Sequence, residues 1–528
     1  MKAVPRLLAA LTALLILSAG AWLRFHALGD RPMHTDEAVQ AVKFGDLLER
    51  GHYRYDPVEY HGPILYYAAL LPARALGLRT LAEVNETQLR AVTALAGLLL
   101  LVVLLALGRV WDRPAALAAA GFCALSPGMV YYARYFIQET FLLLGTAGLA
   151  LCLIGYARAR RGRWALGAGL FAALLHISKE TCVIAYAGAG AALLVAYVQA
   201  RRRPTRADRA WAGIALGVVA AVSITFFSSF FTHARGPLDS LLTYGNYLGK
   251  SGQEVHGHPA AFYLRLLAGW AERGAPLFHE RATLGFALVG LLLAVARPHL
   301  PGAATARAVA VYFLVVAAAY FSFRYKTPWL VLNLLLPLHL LAGWGVAALV
   351  RASPWRRPAA GLVAVLLGWT VHDLAGQNRF AQFRFPAGPR NPFAYVHTGR
   401  DLPRLGEQIR AVAALAPPER PLTVAVMSPE YWPLPWYLRS LPQVGYWYEA
   451  QPAAGADILV LDPDYSALYP ALPDTHHATM AGVRPGVALH AWFRREAWDR
   501  YLETRRGPAS PAAPGRGGPP TPPVAPPP

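Results

Sequence analysis

The chain has 528 residues, 55% of them hydrophobic and 15% charged, with a mean hydropathy of +0.32; this balance excludes an ordinary soluble domain and points to a polytopic membrane protein. The formal net charge of +20 would suit nucleic acid if it formed one patch. Most arginines instead sit in short connections between apolar runs, as Arg158, Arg160, Arg161 and Arg163 do, which marks cytoplasmic loops and argues against a nucleic-acid partner.

A helix crossing the hydrocarbon core needs about 20 apolar residues. Eleven runs approach that length: 7–26, 90–108, 114–131, 136–157, 164–178, 181–199, 210–232, 283–296, 308–322, 328–350 and 358–372. The first follows Lys2 and Arg6, and Leu23-Arg24-Phe25-His26 offers no small-residue cleavage site, so it reads as an uncleaved span. Threading from a cytoplasmic N-terminus puts 1–6, 109–113, 158–163, 200–209, 297–307 and 351–357 inside. Each is basic, and Asp112 and Asp208 are their only acids, as the positive-inside rule requires.

The expected fold is therefore an all-α polytopic membrane domain over 1–372, N-terminus in and C-terminus out, in the plasma membrane. Outer loops at 27–89 and 233–282 belong to it. The apolar stretch 63–77 is short and interrupted by Pro72 and Arg74, which predicts an amphipathic helix lying in the interface. Beyond it, short apolar runs at 422–426 and 458–461 bounded by Pro, Gly and Asp predict a small extracytoplasmic α/β domain over 373–506. Residues 507–528 are mostly Pro, Gly and Ala and predict a disordered tail.

Cys123, Cys152 and Cys182 lie in apolar runs with no CxxC or His-rich spacing, so neither a disulfide framework nor a zinc site is expected. His61, His233, His256 and His258 fit no standard ligand spacing. A divalent metal stays open.

Chemistry is expected at the outer mouths of the spans. His34-Thr35-Asp36-Glu37 places adjacent carboxylates and a histidine just past the first span, where a general base would face a lipid-borne substrate; the same residues also suit a capped helix start. Arg134 and Glu139 flank two apolar runs and either pair with each other or serve a site, because ionisable groups near hydrocarbon are costly. Lys179 suits a phosphate as a point charge, or else snorkels beside Glu180. Arg324 and Lys326 put cations on the outer side, with Tyr325 and Trp329 readable as an interfacial aromatic belt.

The ordered set His34-Thr35-Asp36-Glu37, His61-Gly62-Pro63-Ile64-Leu65-Tyr66-Tyr67, Arg90, Tyr132-Ala133-Arg134-Tyr135-Phe136-Ile137-Gln138-Glu139, Lys179 and the stretch 326–337 resembles the C-type glycosyltransferase superfamily, which includes protein O-mannosyltransferases and the aminoarabinose transferases of lipid A. The resemblance covers roughly 7–350. Tyr431-Trp432-Pro433-Leu434-Pro435-Trp436 and Val444-Gly445-Tyr446-Trp447 resemble, more narrowly, the flippase-activity-associated family of archaea and bacteria.

The resemblance implies a polyprenyl-phosphate sugar donor in the bilayer and an acceptor lipid, glycan or protein on the extracytoplasmic side. Asp36 would be the base, and Glu37 would orient the acceptor or share the proton. Arg134, Lys179, Arg324 and Lys326 would neutralise the departing phosphate, with His34, His61, Glu139, Glu180 and Tyr325 in support. No DxD stands in the first loop, which weakens a metal-dependent oligosaccharyltransferase reading. The rivals are a lipid-linked-sugar flippase, for which no inverted repeat is visible, and a non-catalytic partner whose 431–447 segment binds glycan or protein.

Overall fold

The computed structural model describes residues 3–505 apart from 59–60, 202, 251–256, 270–277 and 453–454. The expected tail and His256 lie outside the described residues. Two units form, Met1–Gly399 and Arg400–Pro528.

The first unit is helical: α1 Ala3–Phe25, α2 Thr35–Arg50, α3 Ile64–Ala75, α4 Glu86–Ala106, α5 Arg113–Leu125, α6 Pro127–Ala133, α7 Glu139–Ala159, α8 Gly162–His176, α9 Cys182–Ala200, α10 Arg206–Phe227, α11 Gly236–Lys250, α12 Phe262–Ala268, α13 Arg281–Ala296, α14 Ala303–Ser322, α15 Leu332–Ala352 and α16 Arg356–Asn378. Among the described residues, eight helices are long and apolar enough to cross a membrane, and α5 with α6 makes a ninth bent by 64°. The other two expected spans are α8 and α13, of 15 and 16 residues. The protein is an integral, multi-pass membrane protein. α3 buries Leu65, Tyr66, Ala69 and Ala73 and leaves Leu71 and Leu76 exposed, the one-sided burial expected of an interfacial helix.

The bend falls at Ser126-Pro127 inside a run that reads as one continuous span. Proline disfavours a helical residue before it, and Pro127 opens α6 at a position where its missing N–H costs nothing. A break at membrane depth leaves carbonyls that must find donors within the protein. Arg24 supplies Cys123 O (3.1 Å) and Ala124 O (3.2 Å), Asn378 Nδ2 supplies Leu125 O (2.6 Å), and Gln382 Nε2 supplies Pro127 O (3.1 Å). These bonds extend the membrane unit beyond the expected limit at 372. Residues 379–384 continue α16 as a π-helix, and the chain to Gly399 stays with the first unit because its side chains close the bend.

The second unit carries a five-stranded sheet. β1 Val424–Met427, β2 Val444–Trp447, β3 Ile458–Leu461, β4 His476–Arg484 and β5 Val487–Arg494 lie in the order β2-β1-β3-β5-β4. β1 is parallel to both β2 and β3, while β5 runs antiparallel to β3 and pairs with β4 as a hairpin. Helices Asp401–Ala413 and Arg495–Arg505 complete this α/β unit. In the aromatic 431–447 segment, Tyr431 and Trp436 are core residues, whereas Trp447 on the edge strand is exposed.

Candidate active site

Glu37 is fully buried, and its environment explains the shape of the mouth. Arg90, near the start of α4, donates from Nε to Oε1 (2.8 Å) and from Nη2 to Oε2 (2.8 Å), a bidentate geometry that fixes both groups. The same guanidinium donates to Leu28 O (2.8 Å) and Arg31 O (2.9 Å), while Phe136 N donates to Glu37 Oε1 (3.0 Å). The 28–32 loop, α2 and the 135–136 turn are thus tied to one carboxylate. Both oxygens of Glu37, expected to orient the acceptor or share its proton, are engaged by Arg90 and the Phe136 amide inside the protein.

Asp36, the neighbouring residue, turns the other way: its side chain is 45% exposed. Adjacent residues on a helix point about 100° apart, so one carboxylate goes to the core and one to the mouth. His34 caps α2, its Nδ1 accepting from Asp36 N (3.1 Å) and its Nε2 lying 3.0 Å from Tyr395 O. The capped helix start is therefore real, and it is also what orients Asp36.

Arg134 is buried and caps the end of α1. Its guanidinium, expected at the donor phosphate, donates through its two terminal nitrogens to Leu23 O (2.9 Å), His26 O (2.6 Å) and Ala27 O (3.0 Å). It does not pair with Glu139. Glu139 holds Lys179, and both are buried. Burial alone would lower the Lys179 ammonium, but the Glu139 carboxylate outweighs it and the net shift is upward.

Glu180 pairs not with Lys179 but with His61 Nδ1 (2.8 Å), and accepts from Tyr55 OH (3.3 Å). Gly62 explains how this turn reaches the loop. A Cβ there would stand 2.3 Å from Ile177 O, and Ile64 N donates to that carbonyl (3.1 Å), so only glycine lets the 61–64 segment press on the turn that carries Lys179 and Glu180.

Tyr325 is 39% exposed and Lys326 is buried. Burial raises the Tyr325 hydroxyl, Lys179 opposes this, and Asp36 and Glu139 add to it. Tyr325 therefore lies within electrostatic reach of the carboxylate and the ammonium of two separate mouths. Lys326 Nζ donates to Phe323 O and to His258 O (3.4 Å). Arg324 and Lys326 line a cavity of about 520 Å³ with His258 and Phe323. Trp329 is buried, its ring 6.0 Å from His34 and 6.2 Å from Tyr395, so it is part of the mouth's wall and not of an interfacial belt.

Two residues that sequence reasoning missed complete the wall. His397 accepts from Tyr135 OH at Nδ1 (2.7 Å) and lies 3.2 Å from Pro32 O through Nε2; burial, with Arg31 and His34 nearby, holds its imidazole well below the usual range. Tyr395 contributes the carbonyl that His34 engages. Both come from the returning 385–399 segment, where no periodicity announces a role. Among the described residues, no three or more His, Cys, Asp or Glu side chains converge as a metal-ligand set.

Residues 72–226 match the profile of the dolichyl-phosphate-mannose-protein mannosyltransferase family. Solved structures match over most of the chain. ArnT from Cupriavidus metallidurans bound to undecaprenyl phosphate is 17% identical with a TM-score of 0.60, covering 90% of this chain and 97% of that one. The oligosaccharyltransferase AglB from Archaeoglobus fulgidus, in complex with an inhibitory peptide and a dolichol-phosphate, is 12% identical with a TM-score of 0.56, covering 87% and 70%. The arabinofuranosyltransferase AftD from Mycobacteria is 14% identical with a TM-score of 0.53, covering 93% and 40%. No curated protein matches the chain. The fold is that of the C-type membrane glycosyltransferases. The part similar to the mannosyltransferase family model runs from the end of α3 through α10.

Proposed function

We propose that this protein transfers a sugar from a polyprenyl-phosphate donor to a hydroxyl of an extracytoplasmic acceptor, with Asp36 as general base. The observation that carries this reading is the split between two adjacent carboxylates. Glu37 is locked in the core by Arg90, and Asp36 is thereby presented half-exposed at a mouth whose Tyr325 also senses Lys179.

In the proposed step, Asp36 takes the proton of the acceptor hydroxyl as its oxygen bonds to the anomeric carbon. The bond from that carbon to the phosphate oxygen breaks, and the electron pair leaves with the polyprenyl phosphate. Lys179, Arg324 and Lys326 are the cations that offset the charge developing there. A base and a leaving phosphate on opposite faces of the sugar ring give inversion. NMR of the product is expected to show the anomer opposite to the donor's, and retention would sink the single-displacement step.

The direct test supplies sugar-labelled polyprenyl phosphates to the purified, reconstituted chain. Transfer or donor hydrolysis is expected; labelled lipid crossing the bilayer with no chemistry would replace this reading with a flippase. Gly62→Ala probes the geometry. The added methyl group must displace the 177–179 turn, and a misplacement of about 1 Å costs on the order of 10²-fold in rate, so turnover is expected to fall while the fold persists.

A further inference from the structure

Between α7, α9, α14 and α15 lies an apolar groove of about 340 Å³. One wall is the α9 face bearing Ala185, Ala189, Ala192 and Ala196. Small residues at this spacing ordinarily bring membrane helices into close contact; here they front open space. Opposite them stands Pro337, inside α15, where a proline removes a helical hydrogen bond and kinks the helix. Along α7 the groove runs from Thr146 to Arg158, about 18 Å at the α-helical rise. One leaflet of hydrocarbon is roughly 15 Å deep.

The two ends differ in chemistry. At one, the lining includes Arg158 and Gln199. Arg158 is exposed and donates through Nη2 to Trp111 O (3.0 Å). Arg307 donates to Gln199 Oε1 from Nε (3.0 Å) and Nη2 (2.5 Å) and to Ala294 O from Nη1 (2.9 Å), which places a second guanidinium beside the lining residue Gln199. Among the described residues, no carboxylate lines the groove. This basic end is at the C-termini of α7 and α9, whereas Glu139 and Lys179 stand at or just before their N-termini. A donor whose phosphate sits beside Lys179 would have its head at the wrong end to use the rim arginines.

We propose that the groove holds one acyl chain of an anionic phospholipid from the cytoplasmic leaflet, with Arg158 and Arg307 engaging its phosphate. Basic pockets between membrane helices on the cytoplasmic side suit such head groups. The inference is independent of the transfer reaction.

The test is native mass spectrometry of the full chain released from nanodiscs containing phosphatidylglycerol, phosphatidylcholine and polyprenyl phosphate in equal amounts. One phosphatidylglycerol is expected to stay bound in preference, with roughly fivefold of that preference lost per arginine removed. Arg158→Ala with Arg307→Ala is expected to abolish the preference, and Ala192→Phe, which fills the groove and leaves the rim intact, to lose the lipid altogether. Thermal melting of each variant distinguishes lost binding from lost fold. Equal retention of both phospholipids, or a preference unchanged in the double variant, would overturn the proposal. Retention of polyprenyl phosphate in place of phospholipid would also overturn it, by assigning the groove to a donor tail.

Discussion

Arg90→Ala is expected to destabilise the protein by about 3–5 kcal/mol, the usual consequence of leaving a buried carboxylate without its partner. The magnitude follows from what Arg90 holds: both oxygens of Glu37 and the carbonyls of Leu28, Arg31 and Pro32, all in a site with no solvent to replace it. Glu37→Gln alone should cost less, because the amide can still accept one of the bonds, and the double variant should cost less than the two changes added together. Thermal melting in detergent measures all three.

The same pair sets an acid limit. Burial would raise the Glu37 carboxyl, but Arg90 and then Arg31 outweigh it and hold it at about 2 instead of 4.5. A carboxylate depressed in the folded state stabilises fully above its unfolded value and loses that contribution as the pH falls through the folded one. Wild type should therefore keep this contribution down to about pH 4.5 and lose it progressively towards pH 2. If the acid transition of Arg90→Ala coincided with that of wild type, Glu37 would not be held by this arginine.

Asp36→Asn is expected to lower turnover by about 10²–10⁴-fold, the range for removing a general base, with little change in melting temperature. The contrast with Glu37 is the point. The half-exposed Asp36 carboxylate reaches only the edge of the buried network, 4.0 Å from His34 Nδ1, and it has a nearly isosteric amide replacement, so the change removes chiefly proton acceptance. A variant that melted early would place Asp36 among the structural carboxylates instead.

Much of this was legible in the chain. Basic loops alternate with apolar runs because membrane insertion itself reads lysine and arginine, and every span expected from them is helical, the one over 114–131 as the broken pair α5 and α6. The bend at Ser126 was missed, although the Ser-Pro pair carried the local signal; apolar length alone had outweighed it. The short apolar runs at 422–426 and 458–461 overlap β1 and β3, while β4, which opens on His476 and His477, offers no clean alternation.

At the expected mouths, the charged groups take partners other than those their local spacing suggests. Arg134 and Glu139 are five residues apart, yet Arg134 reaches carbonyls more than a hundred residues upstream, and Glu139 reaches Lys179. Such partners are set by how the helices pack, which local spacing does not encode. The division of labour between Asp36 and Glu37 was likewise invisible until the position of Arg90 showed which of the two points inward. His397 needed the return of the 385–399 segment, a tertiary event with no local pattern.

The central claim is that Asp36 accepts the proton in a sugar transfer from a lipid phosphate. The measurement that tests it most directly is single-turnover transfer from labelled polyprenyl-phosphate sugars by wild type and Asp36→Asn in the same bilayer, with donor binding measured in parallel. The account predicts that both bind donor equally and that only wild type transfers or hydrolyses it at an appreciable rate. A variant that transfers as fast as wild type would contradict it.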